Sequence, residues 1–156
     1  MPHARADGVE IFYDSTGPAD ADPLVLLAGT GAQLISWRAE LVELLVAEGF
    51  RVIRIDNRDV GLSTKFGGPR DLDGGYELRD LGDDVLRVLD AEGVRRAHLV
   101  GHSMGGMIAQ VVAIEHPDRV ASLSLLATIP GRDPRYVLHG PLPARPPGWL
   151  PRWAAV

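Results

Sequence analysis

From residue 23 to residue 126, short apolar runs alternate with longer stretches of helical spacing. Pro23-Leu24-Val25-Leu26-Leu27-Ala28 is one such run, and it ends at Gly29-Thr30-Gly31-Ala32. A run that short and unbroken suits a strand buried on both faces of a parallel sheet. Within Ser36–Glu48, Trp37, Leu41, Leu44 and Leu45 fall at helical spacing, with Gly49 as the stop. Further strands are expected at Val9–Tyr13, Arg51–Asp56, Ala97–Val100 and Val120–Leu126. Further helices are expected at Leu78–Glu92, with Leu78, Leu81, Val85, Val88 and Leu89 on one face, and at Met104–Glu115, stopped by His116-Pro117. Parallel strands need crossovers of a dozen or more residues, and these segments supply them. The expectation is an α/β fold, a mostly parallel sheet with helices on both faces.

One strand-to-helix junction carries chemistry. Gly101-His102-Ser103-Met104-Gly105-Gly106 fits the pattern G-x-S-x-G, with a strand before it and a helix after it. In that setting the serine sits on a sharp turn and its hydroxyl projects from the sheet edge. Glycines at 101 and 105 remove side chains that would collide across the turn. The Met104 N–H lies at a helix N-terminus, where developing negative charge is favoured. The Gly-rich loop after Pro23–Ala28 offers the Thr30 N–H as a second donor. A nucleotide-binding turn is disfavoured, because G-x-G-x-x-G needs glycine where Leu34 stands and no G-K-[ST] follows.

Three blocks together resemble the α/β-hydrolase family: LVLLAGTG (24–31), DNRDVGLST (56–64) and LVGHSMGGMIAQ (99–110). The sharp strand-to-helix turn at the serine is the family's nucleophile elbow, and EHPDRVASLSLL (115–126) is similar to the stretch that follows the elbow helix there. The resemblance implies a serine hydrolase with Ser103 as nucleophile and the amides of Met104 and Thr30 as oxyanion donors. It implies an acyl-enzyme, an ester or related acyl bond in a small-molecule substrate, and no cofactor or metal. Ala28-Gly29 stands where many members carry His-Gly, which resembles a subset that includes methylesterase-like enzymes acting on polyketides. Family members that open epoxides or haloalkanes use aspartate at the elbow, so the serine disfavours them. A perhydrolase or an acyltransferase would share the same serine. Asp56 and Arg58 match positions that hold the loop beside the site, and Ser63 reads as a cap of a helix or turn. Trp37 and Phe66 are the aromatic candidates for an acyl pocket, although Trp37 at helical spacing reads first as core.

A serine nucleophile needs a base, and the base needs an orienting acid. In this family the order along the chain is Ser, then Asp or Glu, then His. His3 lies at the terminus, His98 on a strand, His102 inside the elbow and His116 at the far end of its helix. After the elbow helix the chain offers Asp133, in a turn-like Asp-Pro, and His139, the only histidine there. Seven of the 12 prolines lie from Pro130 onward, and a stretch so rich in proline is neither central strand nor helix interior. Residues 1–130 therefore read as a partial α/β-hydrolase core, truncated before the last strands and cap. Residues 131–156 read as a Pro-rich tail or the start of a missing cap. Activity is expected to be impaired in such a chain. The alternative is a catalytically inactive hydrolase-like fragment or binding module. Val120–Leu126 would be an exposed sheet edge open to self-association.

Composition sets the remaining bounds. The 156 residues suffice for one domain. A formal net charge of −5 gives no reason to seek nucleic acid or an anionic membrane. With no cysteine there is neither a disulfide framework nor a thiol nucleophile. The first residues lack the apolar core of a secretion signal, so a cytoplasmic protein is expected.

Overall fold

The computed structural model describes residues 2–66 and 75–130. Asp133, His139 and the segment 131–156 lie outside them. The described chain forms β1 (His3–Ala6), β2 (Val9–Thr16), β3 (Asp22–Leu27), α1 (Ala39–Ala47), β4 (Phe50–Ile55), α2 (Leu78–Ala91), β5 (Ala97–His102), α3 (Met104–Glu115) and β6 (Val120–Leu126). The six strands make one sheet in the order β1-β2-β4-β3-β5-β6. β4, β3, β5 and β6 run parallel, while β1 and β2 add an antiparallel edge.

β3 is central because its sequence lets it be. Residues 24–28 are all buried, so both faces of the strand are covered. Leu24 and Leu26 pack with Val52 of β4 under Val42 of α1 on one face. Val25 and Leu27 pack on the opposite face with Ile53, Ile55 and Leu99, beneath Val85 and Leu89 of α2 and Ile108 and Val112 of α3. The period of two along each strand therefore sorts side chains between two helical layers. Fully burying each of these aliphatic side chains contributes about 1.5–3 kcal/mol. No helix among the described residues is long and apolar enough to cross a membrane.

Two expectations need correction. His3 belongs to a strand, β1, that the apolar pattern does not reveal; it pairs with Phe12 of β2, and their rings meet at 5.2 Å. The hairpin between β1 and β2 turns at Asp7 and Gly8, both with positive φ, which is the geometry that Asp-Gly favours in a tight hairpin. The first helix begins at Ala39, after a short 3₁₀ turn at Leu34–Ser36. It buries Val42 and leaves Leu44 65% exposed, so its inward face is not the one the spacing of Leu41 and Leu44 suggests. β6 is the last strand of the sheet among the described residues, and its Leu123, Leu125 and Leu126 remain exposed.

Candidate active site

Ser103 joins β5 to α3 with φ 53° and ψ −120°. A positive φ costs a residue with a side chain about 1–3 kcal/mol and persists only where its surroundings over-determine it. They do so here. The Ser103 N–H donates to the Leu126 carbonyl at 2.9 Å. The Ser103 carbonyl accepts from the N–H of Gly106 at 3.0 Å, the N–H of Met107 at 3.3 Å and the Thr128 hydroxyl at 2.6 Å. Thr128 is a part of the elbow that sequence patterning misses. It follows β6 in an irregular stretch whose neighbour, Ala127, also has positive φ.

The tightness of the turn explains its glycines. A Cβ on Gly101 would stand 2.5 Å from the Gly105 carbonyl carbon and from the Gly106 Cα. A Cβ on Gly105 would strike the Leu27 carbonyl and lie 2.7 Å from the Ala28 carbonyl oxygen. The elbow helix is thus pressed directly onto the C-terminal end of β3. Of the first four N–H groups at this helix end, those of Ser103 and Gly106 are taken by carbonyls. The amides of Met104 and Gly105 remain as the two without a partner inside the helix.

The loop after β3 reaches the elbow. A Cβ on Gly29 would lie 3.2 Å from Ser103 Cβ, and the Thr30 hydroxyl meets the Met104 sulfur at 3.5 Å. Ser103, Met104 and Thr30 are therefore neighbours in space, drawn from chain segments 73 residues apart (103 − 30). None of the four described histidines meets the Ser103 hydroxyl. His98 engages Ser122 through Nδ1 at 2.7 Å, the His3 ring meets that of Phe12 at a tilt, and His116 closes the far end of α3. His102 is exposed beside the serine, with its ring nitrogen facing Gly29.

Behind this loop stands a buried polar cluster. Asp56, 2% exposed, accepts the Leu34 N–H at 2.7 Å through one oxygen and the Leu62 N–H at 3.0 Å through the other. The Asn57 side-chain amide donates to the Ala28 carbonyl at 3.5 Å. Ser63 takes no helix-capping role: its hydroxyl accepts the Phe12 N–H at 2.8 Å and donates to the Asp56 carbonyl, which staples β2 to the loop. Trp37 is half-buried and packs against the Leu24, Leu26, Val42 and Val52 cluster.

Arg58 ties the same loop to α2. Its Nε and a terminal nitrogen donate to the two oxygens of Asp84 at 2.7 and 2.8 Å, with both side chains buried. Burial works against the guanidinium charge, but the Asp84 hydrogen bonds and charge outweigh it and hold Arg58 above its ordinary value. The rings of Phe66 and Tyr76 flank it at 5.1 and 5.2 Å. Burial, followed by a hydrogen bond to Asp59 and that residue's charge, pushes the Tyr76 phenol up to about 12. The folded state thus keeps this proton to higher pH than the unfolded chain. The resulting stability is intact below about pH 10 and is lost as pH rises to about 12. Replacing Tyr76 with Phe is expected to flatten that part of the decline, read as urea midpoints across the same pH range. An unchanged slope would contradict the assignment.

Comparison with known proteins fits this geometry. The model of the α/β hydrolase fold family matches residues 22–155. A putative carbamate hydrolase of Variovorax paradoxus is 41% identical over 116 residues, covering 74% of this chain and 41% of that protein. A rhodomycin D methylesterase of Streptomyces sp. strain C5 is 41% identical over 121 residues, covering 77% and 39%. A hydrolase from Pseudomonas aeruginosa superimposes with a TM-score of 0.70 at 40% identity, over 80% of this chain and 44% of that one. The chain spans about two-fifths of the length of these curated relatives. With the family model running from the start of β3 through the elbow and beyond, and with named hydrolases sharing its sequence and sheet, the chain belongs to the α/β-hydrolase fold family, a family of enzymes.

Proposed function

We propose that this chain carries the nucleophilic half of a serine hydrolase that cleaves an ester or related acyl bond. The observation that carries the reading is Ser103 itself, a side-chain-bearing residue held at φ 53° between a strand and the N-terminus of a helix. Strain of this kind gathers where a side chain must be presented for chemistry. In the proposed reaction the Ser103 Oγ bonds to the acyl carbon and passes its proton to a base. The Met104 and Thr30 amides receive the negative charge that builds on the carbonyl oxygen. The leaving alcohol departs with a proton from that base, and water then releases the acid from the acyl-enzyme. The base and its acid lie outside the described residues, and Asp133 and His139 are the candidates downstream in this chain. The methylesterase relative supports an ester, and the putative carbamate hydrolase supports a related acyl bond.

A second reading, a hydrolase-like scaffold that does not turn over, is favoured by one observation: no described histidine meets the Ser103 hydroxyl. The two readings separate on p-nitrophenyl butyrate. The first predicts hydrolysis by the 156-residue chain that falls to the buffer rate in Ser103→Ala. Equal rates in parent and variant, both folded by circular dichroism, would support the second.

A further inference from the structure

We infer that Asp56 is the positioning residue of the oxyanion loop. Through the Leu34 N–H it fixes the curve of residues 28–34 that brings Thr30 beside Ser103. The inference rests on the reading of Thr30 as an oxyanion donor. Three observations carry it. The Asp56 carboxylate is 2% exposed and meets the Leu34 N–H at 2.7 Å, so the bond is short and shielded from water. The other carboxylate oxygen is held by the Leu62 N–H at 3.0 Å, and Gly61 packs so closely that a Cβ there would run into the carboxylate. The carboxylate therefore cannot swing away. At the opposite end of the loop, Asn57, the next residue, holds the Ala28 carbonyl at 3.5 Å. The segment bearing Thr30 is thus pinned at both ends by consecutive residues of one β4 terminus. Between the pins, among the described residues, the Gly29–Ala32 backbone turn, the packing of Gly29 on Ser103 and the contact of Thr30 with Met104 restrain it.

A donor aimed at a transition state acts only when its aim is fixed. Loss of one such donor lowers kcat by about 10²–10³-fold, and a displacement of about 1 Å can cost about 10²-fold. Releasing the Leu34 pin should therefore lower kcat and leave KM nearly unchanged.

The test uses the 156-residue chain and two ways of cutting one bond. Asp56→Ala removes the acceptor, and the Leu62 bond with it. Leu34→Pro removes the donor, and proline fits there because Leu34 opens a 3₁₀ turn and Gln33 before it is extended, at φ −78° and ψ 161°. On p-nitrophenyl butyrate each single variant should lose about tenfold or more in kcat with KM within about twofold. The double variant should be no slower than the slower single one, because the Leu34 bond that Leu34→Pro removes is already lost in Asp56→Ala. Losses that multiply in the double variant, or that fall on KM alone, would overturn the inference. If the parent shows no Ser103-dependent turnover, the functional reading fails separately. The positioning role is then read from backbone amide exchange. Faster exchange across Thr30–Leu34 in either variant, with β4 and β5 still protected, supports it; unchanged exchange overturns it. Should Asp56→Ala not fold, Leu34→Pro decides alone, since it leaves the carboxylate in place.

Discussion

Gly105→Ala is expected to abolish the folded elbow, and with it any Ser103-dependent hydrolysis. The added methyl would run into the Leu27 carbonyl and stand 2.7 Å from the Ala28 carbonyl oxygen. Both obstacles are backbone. β3 cannot retreat, because β4 and β5 hold it on either side. α3 would have to lift from the sheet, exposing Ile108 and Val112, which are fully buried. Ordinary overpacking costs about 1–3 kcal/mol, and a clash against fixed backbone exceeds that range. Against a total stability of about 5–15 kcal/mol, the loss is large. Gly75→Ala is the control, since among the described residues nothing lies within 4 Å of a Cβ there. Urea unfolding read by circular dichroism should show a sharply lowered midpoint for Gly105→Ala and little change for Gly75→Ala. Equal midpoints would contradict the packing described here.

The second large effect concerns Asp84. Asp84→Ala leaves the Arg58 cation buried without its carboxylate and deprives Arg87 of a partner at 2.8 Å. Removing one member of a buried ion pair costs about 3–5 kcal/mol, because the surviving charge stays desolvated. The cost here should fall toward the lower end, since the Asp80 carbonyl still accepts from Arg58 at 3.2 Å and two rings still flank it. Replacing both partners, as Arg58→Met with Asp84→Leu, should recover most of the loss. That recovery separates an uncompensated charge from lost packing. A double variant as unstable as Asp84→Ala would contradict this account.

Much of this architecture is legible in the sequence, for physical reasons. The unbroken run 23–28 identifies the central strand because only a strand covered on both faces tolerates it. Leu81, Val85, Val88 and Leu89 give the inward face of α2 because they recur at three- and four-residue spacing in a helix whose other residues are mostly polar. The elbow is readable because its serine and glycines each answer a steric demand. α1 is different. Leu41, Val42, Leu44, Leu45 and Val46 leave almost no polar side, so spacing does not choose a face; contact with Leu24, Leu26 and Val52 does. β1 escapes because His-Ala-Arg-Ala carries little apolar signal, although Asp7-Gly8 is a hairpin turn in plain sight. Thr128 and the two-ended grip of Asp56 and Asn57 are set by tertiary contacts alone, which no local pattern encodes.

The central claim is that Ser103 forms a covalent acyl-enzyme, and trapping that adduct tests it most directly. The 156-residue chain is mixed with p-nitrophenyl butyrate, quenched in acid within the first turnovers and digested for peptide mass mapping. The account predicts a butyryl group on the peptide containing Ser103, absent from Ser103→Ala treated in the same way. An unmodified Ser103 peptide under conditions where ester is consumed, or an adduct that persists in Ser103→Ala, would contradict it.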